Sequence, residues 1–426
     1  MNESGRGVSS ARVAVREALA GWTNAMTLLS GFIIVPTMLF QAGMDFTGAY
    51  TICVLISILG TFFAGLALGQ PLVLAPSVAM SSWIVYVEVM SHGESWQAVL
   101  GAAFLAAVLG FLLLLTPLGR LLMESIPPCL CNVLPGGLGL LLMVQGLIQG
   151  RLLVGSPFDV MMLGNLSDPV AYLSLWGIFA SFVLMVNGIS CSLAAGTLAT
   201  AFVAWCQGFW EIPGAPFLLP EGFEKVAFQL DVSKGFLLPD LIAAFLVLLL
   251  VESAGTFQAL QEASGKEPPS RKLFLGILGT GALGSLLGSL PPRLAAESAV
   301  GVATGGRRGW TSYATVFFLV LMLFCEPLAK EMASFGAIAA PGLVGAGFWM
   351  LWRMENVFQG DMADAAASWC LFLALPFSHD VGTGLGMALI THVVLKCFSG
   401  SSAAISGGEK GMAVFFAAYF LHGLWS

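Results

Sequence analysis

LVLAPSVAM at Leu72–Met80 and PRLAAESAV at Pro292–Val300 are two short apolar stretches, each interrupted near its start by proline. Proline lacks a backbone N–H and clashes with the preceding helical turn, so neither stretch opens as a regular helix. Broken segments at matching places in two halves of a chain point to the midplane binding site of a secondary transporter. The expected local structure is a short strand at each break, with two ordinary kinked helices as the plainer alternative.

Apolar runs extend in both directions from these breaks. They can be drawn at Glu17 to Phe40, Gly48 to Leu68, Leu72 to Met90, Trp96 to Leu115, Cys129 to Ile148, Pro169 to Val186 and Ile189 to Phe209. After a polar joint rich in Pro, Gly and acid, seven more follow: Phe236 to Leu260, Lys272 to Leu290, Leu294 to Thr304, Trp310 to Cys325, Gly336 to Trp352, Met362 to Phe377 and Val381 to Phe398. The expected fold is an all-α polytopic membrane protein of fourteen segments. Because seven is odd, the second set inserts upside down relative to the first, as in inverted-repeat transporters. The divisions are a tail at 1–16, a first repeat at 17–210, a linker at 211–235, a second repeat at 236–398 and a tail at 399–426, whose apolar Met412 to Trp425 lies on the membrane or crosses it.

Composition agrees. Of 426 residues, 58% are hydrophobic and 10% charged, which excludes a soluble enzyme. With 17 Lys+Arg against 24 Asp+Glu, no basic face is available to hold nucleic acid. No cleavable leader is apparent, since Arg6, Arg12 and Arg16 lead into an apolar run without a small-residue cleavage site. With both termini cytoplasmic, alternation puts twelve Lys/Arg inside and four outside, with Arg293 within a run, as the positive-inside rule requires.

Ionisable groups inside a bilayer are costly, so those that occur there carry information. Glu252, in FLVLLLVESAGTFQAL, and Glu297, in LAAESAVGV, stand out. A carboxylate accepts from a ring N–H when ionised and donates when protonated, which suits a heterocycle and a proton-coupled cycle. Thr256, four residues after Glu252, shares its helix face. A helix that begins at about Glu297 presents free backbone N–H groups to the site, and Ser77 is the equivalent position of the third run. Thr23, Asn24, Thr27 and Ser30 either face the site or satisfy neighbouring helices. For either glutamate the bland reading is a helix end snorkelling to water.

Other signals are weak. GTGALG (Gly279–Gly284) matches a dinucleotide pattern without a preceding strand; Gly276, Gly284 and Gly288 instead fit close helix approach. GGRRG (Gly305–Gly309) could bind phosphate, though a cytoplasmic turn explains it more simply. Ser378, His379 and Asp380 are sequence neighbours that cannot aim at one another as a triad. Glu88 reads as interfacial, His92 as a loop residue and His392 as a packed helix residue. Cys129 and Cys131 have no histidine near them in sequence, so no metal site is expected, and neither a catalytic residue nor a cofactor.

The segments EALAGWTNAMTLLSGFIIVPTMLFQAGMD, LALGQPLVLAPSVAM, SWQAVLGAAFLAAVLGFLLLL, IPPCL, VESAGTFQALQEASG and AAESAVGVATGGRRGWTS together resemble the adenine/guanine/hypoxanthine permease branch of the nucleobase:cation symporter-2 family. The resemblance runs in order over nearly the whole chain, and ESAVGVATGGRRG is its most specific part. It implies a core of segments one to four and eight to eleven, and a gate of segments five to seven and twelve to fourteen. It implies that Glu252 and Glu297 hold a base beside Thr256, with backbone groups of Ala75 and Ala296 next to it, and that purine moves with a proton. The chain departs from that branch at Glu252, where aspartate is usual, at Arg293 and Leu294, which replace threonines, and at Met80 or Ser81, which replace an asparagine. These departures surround the site and bear on substrate identity; Asn24, Thr27, Ser81 and Arg293 are further candidates to line it.

The expected function is proton-coupled uptake of a nucleobase across the cell membrane. The partners are that small molecule, a proton and the lipid bilayer, with a homodimer left open. The rivals are transport of another heterocycle (uracil or xanthine) or a small organic anion, a passive channel, and, least favoured, a membrane-embedded enzyme.

Overall fold

The computed structural model describes residues 10–116, 127–155, 161–189, 192–264, 271–295, 298–303, 305–352, 354, 361–378, 381–400 and 405–423. The first half contains α1 (Ser10–Gln41), α2 (Phe46–Leu68), β1 (Leu74–Pro76), α3 (Val78–Trp83), α4 (Trp96–Leu115), α5 (Pro128–Gln149), β2 (Leu153–Gly155), β3 (Met161–Leu163), α6 (Pro169–Val186) and α7 (Ser192–Cys206). Two short helices, α8 (Phe223–Val226) and α9 (Val232–Phe236), occupy the linker. The second half contains α10 (Pro239–Ser264), α11 (Arg271–Leu287), β4 (Pro292–Leu294), α12 (Ser298–Ala303), α13 (Gly309–Leu323), α14 (Glu326–Ala333), α15 (Gly336–Trp352), α16 (Met362–Ser378) and α17 (Val381–Phe398), followed by α18 (Gly407–Gly423). Every apolar run of the sequence carries helix.

Among the described residues, five helices are each long and apolar enough to cross a membrane, or six if α13 and α14, bent by 72° at their junction, count as one. The outer surface is apolar: Val186 and Phe398 are 88% and 86% exposed, and Phe179, Phe202, Trp310 and Phe317 also project outward. Such a surface is unsuited to water and suited to lipid.

Packing repeats itself between the halves. The contact of α1 with α13 has its counterpart in α10 with α4, and α2 with α13 in α11 with α4. Likewise α6 on α7 is matched by α16 on α17, and α15 on α6 by α5 on α16. α5 packs on α15 and α2 on α11, pairs that hold equivalent places in the two sets expected from the sequence.

Several details differ from the sequence reading. The linker is packed: Val226 is buried, and the Asp231 N–H donates to Gln97 O at 2.9 Å. Gly276 and Gly284 do lie against α2, where an added Cβ would be 3.0 Å from Phe63 and 3.1 Å from Ile56. Gly288 instead ends its helix at φ +94°, a conformation that favours glycine, with Val226 packed against it. The strand pair β2–β3 joins α5 to α6, and a π-helical turn, Ile84–Val89, continues α3. The apolar tail helix α18 packs along α17, with Phe416 against Gly386.

Candidate functional site

Strands β1 and β4 are three residues each and pair antiparallel, with Leu74 opposite Leu294, Ala75 opposite Arg293 and Pro76 opposite Pro292. Extended backbone in an apolar interior is tolerable only when its polar groups are satisfied locally. Here side chains supply the partners. The Val73 N–H donates to Ser298 Oγ at 3.0 Å, and Ala295 N–H donates to Val73 O at 2.8 Å. Thr61 Oγ1 accepts from Leu74 N–H at 3.1 Å, and Ser312 Oγ donates to Leu72 O at 2.8 Å. The two breaks are thus built into one unit held by α2, α12 and α13.

Each strand leads into a short helix. Ser77 is the N-cap of α3: its Oγ accepts from Met80 N–H at 3.2 Å, and its carbonyl accepts from Ser81 Oγ at 2.6 Å. Both serines are fully buried. After β4 the short helix α12 starts at Ser298, one position beyond the place that corresponds to Ser77. Ala75 is buried at the centre of the pair, and Arg293, only 8% exposed, donates from Nη1 to Leu294 O at 3.0 Å. A narrow cavity beside the strands is lined by Phe32 and Val35 of α1, Cys53 of α2, Ala75, Arg293 and Ala295.

The first helix separates the candidates the sequence left even. Thr23 Oγ1 donates to Leu19 O at 2.8 Å and Thr27 Oγ1 to Asn24 O at 2.9 Å, so both hydroxyls return to their own helix. Asn24 behaves differently. It is fully buried, among the described residues neither its Oδ1 nor its Nδ2 has a hydrogen-bond partner, and it faces Gly301 of α12, where an added Cβ would stand 2.4 Å from Oδ1. A buried amide without partners costs about 1–3 kcal/mol, which a ligand can recover.

Glu252 and Thr256 belong to α10, with side chains outside the described residues; Ala296 and Glu297 lie outside them altogether, as do His379 and Asp380, and the side chain of Ser30. Ser253, beside Glu252, is buried, and its hydroxyl has no partner among the described residues. Sequence reasoning passed over it, although a hydroxyl adjoining an intramembrane acid was the available signal.

The GGRRG turn is occupied from within. Glu17 accepts from the N–H groups of Arg307 and Arg308 at 3.3–3.4 Å, and from Thr311 Oγ1. Backbone donors that could have cradled phosphate therefore cap onto the start of α1. At the opposite end of α3, Glu88 Oε2 lies 3.1 Å from His92 Nδ1, so His92 is tied to the π turn.

The arrangement is a polar unit of two facing breaks inside an apolar helical body, and the comparisons agree with it. The sequence pattern of the Permease family (Xan_ur_permease) matches residues 15–378. The chain belongs to that family. Within it, the nucleobase:cation symporter-2 type and its purine branch fit the relatives found. This permease is 29% identical to guanine/hypoxanthine permease PbuO of Bacillus subtilis over 90% of its own length and 92% of that protein. It is 26% identical to adenine permease AdeP of Escherichia coli over 90% and 87%. Among solved structures, the permease resembles the transmembrane domain of the cyanobacterial bicarbonate transporter BicA, with a TM-score of 0.63 at 16% identity, covering 89% of this chain and 98% of that one. Murine Slc26a9 gives 0.64 at 12% identity, covering 94% and 74%. These likenesses establish the fold, and with the family they make the permease a multi-pass membrane protein and not an enzyme.

Proposed function

We propose that this permease is a secondary-active transporter that carries a nucleobase, most naturally a purine, together with a proton. The observation that carries this reading is the joining of β1 and β4 at the centre of the apolar body, with a short helix starting from each. Helix starts present unsatisfied N–H groups, and broken helices of this kind serve as ligand sites in transporters. Glu252 and Glu297 receive ring N–H groups of the base, and one of them titrates during the cycle. Thr256, Ser77 and the backbone at Ala75 and Ala296 complete the contacts, with Asn24 supplying an amide from α1. The guanine/hypoxanthine and adenine permeases among the relatives support the substrate class.

The matched contacts between the halves support two inverted sevens. In that arrangement α1, α2, α4, α10, α11 and α13 form, with the broken segments, a core that slides against a gate of α5–α7 and α15–α17. The N-terminal tail and Lys396 lie on the cytoplasmic side.

Uptake of radiolabelled hypoxanthine, guanine and adenine into proteoliposomes, with and without an inward proton gradient, tests the proposal. Accumulation that needs the gradient supports it, whereas equal entry after collapse of the gradient indicates a channel. A second reading, an anionic substrate, draws on buried Arg293 at the cavity wall. Competition by organic anions that beats every nucleobase would favour it.

A further inference from the structure

Cys129 has no histidine near it in sequence, but the fold supplies one. Cys129 of α5, Asp364 of α16 and His392 of α17 present one ligand atom each, all within 4.8 Å of one another. His392 Nε2 lies 3.0 Å from Asp364 Oδ1. Lys396 Nζ lies 3.0 Å from the same oxygen and 2.6 Å from Asp361 Oδ2. Both contacts to Asp364 use Oδ1, which leaves Oδ2 for a cation. Glu409, at the start of α18, is close enough to interact electrostatically with His392 and Lys396.

The cluster is rich in acceptors. Among the described residues, Nδ1 of His392 and Oε2 of Glu409 are buried without a hydrogen-bond partner. Asp361 and Asp364 both lie against the Lys396 ammonium, and Glu409 adds a third carboxylate nearby. A divalent cation bound through Nε2 leaves the ring N–H on Nδ1, which metal-bound histidines commonly donate to a further acceptor.

We propose that Cys129, Asp364 and His392 form a site for a thiophilic divalent cation of the zinc type, tying α5, α16 and α17 together, with Glu409 of α18 adding negative charge beside the imidazole. Sulfur, nitrogen and oxygen donors with an open fourth position suit tetrahedral zinc. The set is wrong for magnesium or calcium, which take oxygen ligands. Thiolate and carboxylate ligation releases the thiol proton to solvent on binding. The helices it ties, α5, α16 and α17, are those of the proposed gate.

Titration of the purified, detergent-solubilised protein with Co2+ alone, followed by absorption, tests this. The expected result is saturation at one equivalent, with thiolate-to-cobalt charge transfer and tetrahedral d–d bands. Cys129→Ser removes the charge-transfer band while nucleobase binding persists, which shows that the variant is folded. Glu409→Gln weakens the metal about 10-fold. Zn2+ raises the melting temperature of the wild type, reversed by chelator. Absence of the charge-transfer band, or its survival in Cys129→Ser, overturns the proposal.

Discussion

Ser298 Oγ accepts the amide proton of Val73 at 3.0 Å, tying the start of α12 to the strand of the other broken segment. Both residues are fully buried. Removing the hydroxyl leaves a strand N–H in an apolar interior with nothing to bond. Ser298→Ala is therefore expected to cost about 1–3 kcal/mol, read as a lower melting temperature in detergent. An unchanged melting temperature would mean that water or another group replaces the serine without loss.

Asn24 carries the opposite signature, an amide whose atoms have no partner among the described residues. Asn24→Leu removes a buried polar group at similar volume, so stability should be equal or higher by up to about 1–3 kcal/mol. Purine uptake should fall at least about 10-fold, the value of one lost hydrogen bond of about 1.4 kcal/mol. Stability that rises while transport stays normal would remove Asn24 from the site.

Gly139 of α5 and Gly347 of α15 cross backbone to backbone. An added Cβ would stand 2.7 Å from Gly347 O in the first case and 2.3 Å from Gly139 O in the second. Membrane helices approach this closely only through small residues. Gly139→Ala and Gly347→Ala should each destabilise by about 1–3 kcal/mol or more through overpacking, seen as reduced folded yield in size-exclusion profiles. Normal profiles for both would show that α5 and α15 can separate freely.

Arg151 donates to Asp168 Oδ2 at 2.9 Å beside the β2–β3 hairpin. The guanidinium, helped by the Val170 N–H, holds the Asp168 carboxyl below the usual carboxylate range. A carboxyl depressed in the folded state stabilises fully above its unfolded pKa and stops doing so as pH falls through the folded value. Asp168→Asn should thus melt below the wild type at neutral pH, and the difference should close as the pH drops below about 3.9. A difference that stays constant across that range would assign the effect to packing.

Pro76 and Pro292 made the broken segments legible, because proline at the head of an apolar run is a local signal. Glycine and charge bounded the helices in the same way. What sequence could not supply was partnership across the fold. Thr23, Asn24 and Thr27 look equivalent in the chain, and only tertiary packing sends the threonines to their own helix and leaves Asn24 without a partner. Cys129 and His392 are separated by more than half of the chain, and their meeting leaves no trace in spacing. The bend after Leu323 was hidden because Cys325 continues the apolar run before Pro327 starts α14. Gly288 matched the small-residue spacing yet serves a helix end, since spacing does not report backbone conformation.

Equilibrium binding of radiolabelled hypoxanthine and guanine to the detergent-solubilised permease tests the central claim most directly. Saturable binding that is lost in Glu252→Gln and in Glu297→Gln, while both variants keep the wild-type melting temperature without ligand, is the predicted result. Unaltered binding in both folded variants would contradict a base held between the two facing breaks.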